Sequence, residues 1–88
     1  MDLKDIVLIS KRLKAQMEKN LPFIISEIDS IIINKDKSVK RIETLLDILL
    51  DYSQMDLGKK EFNRLNSYYA SFNKENAEAY KQFYKEFD

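Results

Sequence analysis

The feature that most restricts the fold of this chain is its shortage of turn-forming residues. Its 88 residues include one glycine, Gly58, and one proline, Pro22. All-β folds join many short strands through tight turns, and glycine and proline supply the backbone angles that those turns need. The sequence therefore argues strongly against a sandwich or barrel and favours helices joined by a few short loops.

Length and composition predict one domain. A chain of 88 residues with 44% hydrophobic and 34% charged content has enough apolar side chains for a single core. We therefore expect a single helical domain over residues 1–88. A domain of this size is only marginally stable unless most of its apolar side chains are buried, so exposed apolar surface would need an explanation.

The first third of the chain has helical periodicity. In residues 3–21 the apolar side chains fall on one face when the chain is wound at 100° per residue, which predicts an amphipathic helix with an inward face. That face consists of Leu3, Ile6, Ile9, Leu13, Met17 and Leu21. Pro22 breaks or kinks this helix, because proline lacks the donor that a helix interior needs. Residues 21–33 continue the helical pattern, either as a second helix or as the far end of one kinked helix.

The rest of the chain predicts two or three further helices. A polar loop, 34–38, precedes a helix over residues 39–53 whose apolar arc covers roughly 200°, which places it near the centre of a bundle. Gly58 marks a turn before a helix that has aromatic residues at 3-4-3 spacing. Asn73 can cap a final short helix. The prediction is an all-α fold, a compact bundle of four to five short helices with helix 39–53 central.

The residue types that carry most catalysis are missing. The chain has no histidine and no cysteine, which removes the commonest general base, the commonest metal ligand and every thiolate site. Its serines have no histidine to activate them, and five short helices around one core leave little cleft. We expect no enzymatic activity, no metal site and no cofactor.

Two groups of residues are candidates for binding a partner protein. Glu43, Asp47 and Asp51 lie at i, i+4 and i+8 on the polar edge of the third helix, where like charges are mildly unfavourable unless a basic partner or neighbouring lysines offset them. Tyr68 and Tyr84 lie at the margins of aromatic stripes, and tyrosine is enriched at interfaces. A solvated acidic face and a purely structural set of tyrosines are the alternatives.

A basic cluster supports a second functional hypothesis. Lys35, Lys37, Lys40 and Arg41 surround the start of the third helix, where free N–H groups could help to hold a phosphate. The cluster lacks a glycine-rich loop, and equal numbers of acidic and basic residues give the chain no net charge. Nucleic-acid binding through this loop is therefore the alternative function.

The first hypothesis is stoichiometric binding to a partner protein of unknown identity. No stretch reaches the roughly 20 apolar residues of a membrane span, and Asp2 and Asp5 stand where a signal peptide needs positive charge, so we expect a cytoplasmic protein without membrane contact. The abundance of lysine, isoleucine and asparagine is common in AT-rich bacterial or phage genomes. The small size, the missing catalytic side chains, the marginal tyrosines and the acidic stripe predict an accessory factor of a bacterium, phage or mobile element, such as an immunity protein, an antitoxin or an inhibitor of a defence enzyme. Leu8, Phe23 and Ile33 lie off the main apolar stripes, which makes a homodimer compatible with either function.

Overall fold

The structure of the protein is a computed structural model that describes residues 2–87. It contains four α-helices and, within those residues, no strand: α1 (Leu3–Ile33), α2 (Val39–Ser53), α3 (Lys59–Ala70) and α4 (Lys74–Phe87). The prediction of an all-helical fold is confirmed. The helix count is four because the two segments predicted before residue 34 form one helix.

Helix α1 runs without interruption through Pro22. Its first turn is fixed by a capping box, in which Asp2 accepts from the backbone N–H of Asp5 and the Asp5 carboxylate accepts from the backbone N–H of Asp2. An interior proline costs a helix about 3 kcal/mol. Pro22 is exposed, so water can hydrate the carbonyl left without a partner, and the burial of Ile24, Ile28 and Ile31 beyond it offsets the cost.

Helix α2 lies at the centre of the bundle and contacts α1, α3 and α4. Its apolar arc is wide enough to face all three, as its sequence predicted. The core that forms around it contains side chains from every helix: Ile24, Ile28, Ile31, Ile42, Leu45, Leu46, Leu49, Leu50, Tyr52, Phe62, Leu65, Tyr69, Ala77 and Tyr80. Isoleucine fills the α1 side of this core and aromatic rings fill the α3–α4 side.

The molecule is more extended than a compact bundle. Its Cα radius of gyration is 14.4 Å, compared with about 12 Å for a compact domain of this length. The 31 residues of α1 span about 46 Å at 1.5 Å per residue, and the longest dimension of the molecule is 47 Å. The second half of α1 packs against α2 and α3, whereas residues 3–16, called the arm below, project beyond the bundle.

Candidate interaction surfaces

Glu43, the first carboxylate of the predicted acidic stripe, binds partners inside the fold. It accepts a hydrogen bond from the Tyr69 hydroxyl at 2.5 Å and another from the Asn76 side-chain amide at 3.1 Å. Burial, followed by the bond to Glu43, raises the pKa of the Tyr69 hydroxyl above its ordinary value. Glu43 therefore joins α2 to both α3 and α4.

Asp47 has a similar position one turn further along α2. It accepts a hydrogen bond from the Tyr80 hydroxyl at 2.8 Å, and burial together with this bond raises the pKa of Tyr80. Asp51, the third member of the stripe, is exposed. The stripe thus divides into two carboxylates that anchor tyrosines and one that faces solvent, and the tyrosine donors offset the like charges at i and i+4.

The two candidate tyrosines also contact neighbouring elements. The Tyr68 hydroxyl donates a 2.8 Å hydrogen bond to the backbone carbonyl of Asp36, and its ring centroid lies 5.5 Å from that of Phe72 in an edge-to-face arrangement. The Tyr84 ring centroid lies 4.5 Å from that of Phe62, a fully buried residue. Both side chains are half-buried, so each presents only part of its surface to a partner.

One member of the basic cluster, Arg41, is engaged in ion pairs within the fold. Arg41 donates to Glu27 at 2.6 Å and to Asp36 at 2.8 Å, which ties the start of α2 to α1 and to the loop. The hydrogen bonds that Arg41 donates to Glu27 and Asp36 raise the pKa of Arg41. The bonds that Asp36 accepts from the Ser38 backbone N–H and from Arg41 lower the pKa of Asp36. The three lysines of the cluster lie outside this network.

Those lysines are spread around the loop. Lys35 and Lys40 are exposed, and the Lys37 ammonium lies 5.9 Å from the centroid of the Phe72 ring, within range of a cation–π contact. Lys35 has a left-handed backbone with φ of 52°. The structure therefore shows three separate ammonium groups and an engaged guanidinium at the predicted phosphate site.

The arm contains the largest set of exposed apolar side chains. Six of them are 47–76% exposed, and they surround the helix instead of forming one stripe: Leu3, Ile6, Val7, Leu8, Ile9 and Leu13. Ile6, Ile9 and Leu13 lie on one side, Val7 and Leu8 lie on the opposite side, and Leu3 lies between Ile6 and Val7 around the helix. Soluble domains rarely expose apolar side chains in such a continuous group, which makes the arm a candidate binding surface.

The sequence pattern assigned four of these six side chains to the core: Leu3, Ile6, Ile9 and Leu13. Leu3, Ile6 and Leu13 continue the same stripe that buries Ile24 and Ile28 in the second half of α1, so periodicity predicts an inward face for all of them. They remain exposed because α2 and α3, the helices that pack on α1, have only 15 and 12 residues and cover the other half of this 31-residue helix. The signal that could have located the arm is this mismatch in helix length.

Residues 2–87 contain no group of three or more histidine, cysteine, aspartate or glutamate side chains placed to hold a metal ion. None of the helices within those residues combines the length and the apolar character that a bilayer crossing requires. Comparison with protein-family models, with curated proteins and with solved structures finds no match for this chain.

Proposed function

We propose that this protein is a non-enzymatic interaction module that binds a partner protein stoichiometrically through the arm of α1. The observation that carries the proposal is the exposure of six large apolar side chains on one projecting helix. Burying such side chains yields roughly 1.5–3 kcal/mol each, so a partner that covers half of them gains substantial binding free energy. A small domain has little reason to keep this surface exposed unless another molecule covers it.

The shape of the arm fits recognition of a helix in a groove. Its 14 residues span about 21 Å, and apolar side chains at i, i+4 and i+5 on one side, Leu3, Val7 and Leu8, can enter an apolar groove. Lys4 and Lys11 flank this side, and all five residues line one shallow pocket. We therefore propose that the partner presents an apolar groove with acidic side chains at its rim.

The mode of action we propose is occlusion of the partner's surface. The chain has the size, the charged side chains and the apolar surface to cover part of a partner. It contains no histidine or cysteine to act as a catalytic group. An accessory factor of a bacterium, phage or mobile element, of the immunity, antitoxin or inhibitor type, acts in this way. The geometry favours a protein partner over nucleic acid, because Arg41 is already bound to two carboxylates while the apolar arm has open surface.

Site-specific photo-cross-linking in the producing cell tests this proposal. A photoreactive amino acid at Val7 should trap one protein in a one-to-one adduct, and the same amino acid at exposed Glu75 on α4 should not. The trapped protein can then be purified. It should bind the unmodified chain and should not bind the Val7→Glu or Leu8→Glu variant.

The matched control is Phe83→Glu, which changes a comparably exposed apolar residue on α4 and should bind normally. If the adducts at Val7 and Glu75 are the same, or if Val7→Glu binds as well as the unmodified chain, the arm is not the binding surface.

A further inference from the structure

We infer that the other side of α1 is the seam of an antiparallel, two-fold homodimer. Six exposed residues lie along that side at spacings of 3, 4, 3, 4 and 3: Ile6, Ile9, Leu13, Gln16, Asn20 and Phe23. Alternating 3-4 spacing is the pattern of a coiled-coil seam, since it keeps the same face turned toward a second helix. The seam is distinct from the side that contains Leu3, Val7 and Leu8, so this inference goes beyond the binding of another protein.

The exposed area of the chain matches what a dimer would need. A compact monomer of 10.5 kDa has about 5,400 Å² of accessible surface, whereas this chain has 6220 Å². The excess of about 800 Å² equals the area that each partner contributes to an interface of standard size. A second copy can cover this excess with the same surface, as a two-fold interface requires.

Phe23 identifies the seam independently of the arm. Its side chain is 74% exposed although it stands one residue from Ile24, which is buried in the core. The seam covers 17 residue steps from Ile6 to Phe23, or about 26 Å. When two seams run antiparallel, Ile6 of one copy lies beside Phe23 of the other, and both side chains become buried.

The packing of α2 favours antiparallel over parallel pairing. The bond between Arg41 and Glu27 places the start of α2 beside α1, one turn beyond Phe23 on the seam side. Parallel helices would bring the two bundles together at this point. Antiparallel helices keep the bundles at opposite ends, and each arm then ends where the other copy's α2 begins.

A groove between α1 and α2 lies at that place. It is lined by Glu27, Ser38, Lys40, Arg41, Thr44 and Leu45. In the antiparallel pairing, the first turn of the second copy reaches this groove with Asp2 and Asp5. Asp2 then lies beside Glu27, and exposed Lys40 stands at the edge of the groove. This pairing brings the carboxylates of Asp2 and Glu27 together at both ends of the two-fold interface, and Arg41, which binds Glu27, offsets them together with Lys40.

Gln16 and Asn20 set the strength and the register of the pairing. Polar side chains in a seam reduce stability but penalise registers that leave their amides facing apolar groups. The centre of the seam pairs Leu13 with Gln16 and Ile9 with Asn20 of the second copy. We therefore expect a reversible dimer whose dissociation is measurable at protein concentrations from micromolar to millimolar.

Sedimentation equilibrium of the purified chain tests the dimer. The unmodified protein should dimerise, and Leu13→Glu should weaken dimerisation at least tenfold because it places two carboxylates in the seam. Val7→Glu makes the same chemical change on the opposite side of the same helix and should dimerise normally. A chain that is monomeric at every concentration, or that responds equally to both substitutions, would overturn the inference.

Cysteine cross-linking tests the orientation, and the chain is suited to it because it has no native cysteine. A disulfide needs Cα atoms closer than about 7 Å. An oxidised mixture of Ile6→Cys and Phe23→Cys should give the mixed disulfide in preference to either homodisulfide. Homodisulfides as the main products would show parallel pairing and overturn the antiparallel seam.

The two proposals fail separately. A monomeric chain whose Val7→Glu variant loses the cross-linked protein disproves the seam and leaves the proposed function standing. A dimeric chain that gives no adduct dependent on the arm disproves the proposed function and leaves the seam standing.

Discussion

The Tyr80 hydroxyl donates a 2.8 Å hydrogen bond to the Asp47 carboxylate and so joins α4 to α2 at the edge of the core. Tyr80 is buried while Asp47 is exposed, so the bond lies at the boundary between apolar interior and solvent. One turn earlier on α2, Glu43 accepts from Tyr69 of α3 in a parallel arrangement. These two acidic residues of α2 thereby fix how α3 and α4 are rotated about their own axes.

Removal of the Asp47 carboxylate should destabilise the fold. Asp47→Ala leaves the buried Tyr80 hydroxyl without its acceptor, and a lost bond to a charged group costs about 1–3 kcal/mol. Asp51→Ala, one turn further along the same edge, should change the free energy of unfolding by less than about 0.5 kcal/mol. Urea denaturation measures both variants, and equal effects would show that the Tyr80 bond contributes nothing specific.

The protein should lose stability at alkaline pH. The pKa values of Tyr69 and Tyr80 are raised in the folded state, first by burial and then by their carboxylate acceptors. A group with a raised pKa stabilises the fold below its unfolded pKa, near 10, and that contribution falls as pH rises toward the folded value. Tyrosinate absorbance at 295 nm should therefore rise in two stages, with the later stage accompanied by loss of helical circular dichroism.

The Tyr80→Phe variant is the control for the alkaline transition. It should be less stable at pH 7, because Asp47 loses its donor, but its stability should fall less between pH 9 and pH 11 than that of the unmodified chain. An identical pH dependence in both proteins would show that Tyr80 does not carry the effect.

Gly58 should be intolerant of substitution. It has φ of +81°, and a Cβ at this position would lie 2.9 Å from the Leu49 Cδ2 atom in the core. The left-handed backbone costs an L-residue about 1–2 kcal/mol, and the added contact costs about 1–3 kcal/mol more. Gly58→Ala should therefore lower the free energy of unfolding by at least about 2 kcal/mol, measured by urea denaturation.

Asp56 provides the comparison for Gly58. It also has positive φ, 57°, but it is exposed. Asp56→Ala keeps the backbone cost and lacks the clash, so its effect should be the smaller of the two. A Gly58→Ala variant no less stable than Asp56→Ala would contradict a steric role for the Leu49 contact.

Periodicity predicted the helical segments well, although it divided α1 into two, because packing on a shared core imposes a 3.6-residue repeat on each helix. The breadth of the apolar arc over 39–53 also predicted the central place of α2, which contacts every other helix. Local pattern could not predict which part of a stripe would be covered. Leu13 and Ile24 carry the same signal, and only the lengths of the opposing helices leave one exposed and bury the other.

The candidate site was harder to predict than the fold. The spacing of Glu43 and Asp47 correctly placed them on one edge of α2, but their hydrogen bonds come from residues 26 and 33 positions away. Pairings over such distances depend on helix orientation, which sequence spacing does not encode. The helix also continues through Pro22, where the sequence predicted a break or a kink. Burial of the next two turns of α1 outweighs the local cost of a proline inside a helix.

Pro22→Ala should stabilise the arm more than it stabilises the bundle. The substitution restores one backbone donor in α1 and removes the ring that crowds the preceding turn, for a gain of up to about 3 kcal/mol in helix formation. The arm packs little against α2–α4, so this gain should appear as slower amide exchange over residues 3–20, with only a small change in exchange of α2. Ala15→Gly is the matched control, because it should speed exchange in the same segment by about fivefold, the equivalent of about 1 kcal/mol. If both variants change amide exchange in α2 as strongly as in the arm, the two halves of α1 unfold as one cooperative unit. The arm is then not the independent projecting helix that we describe.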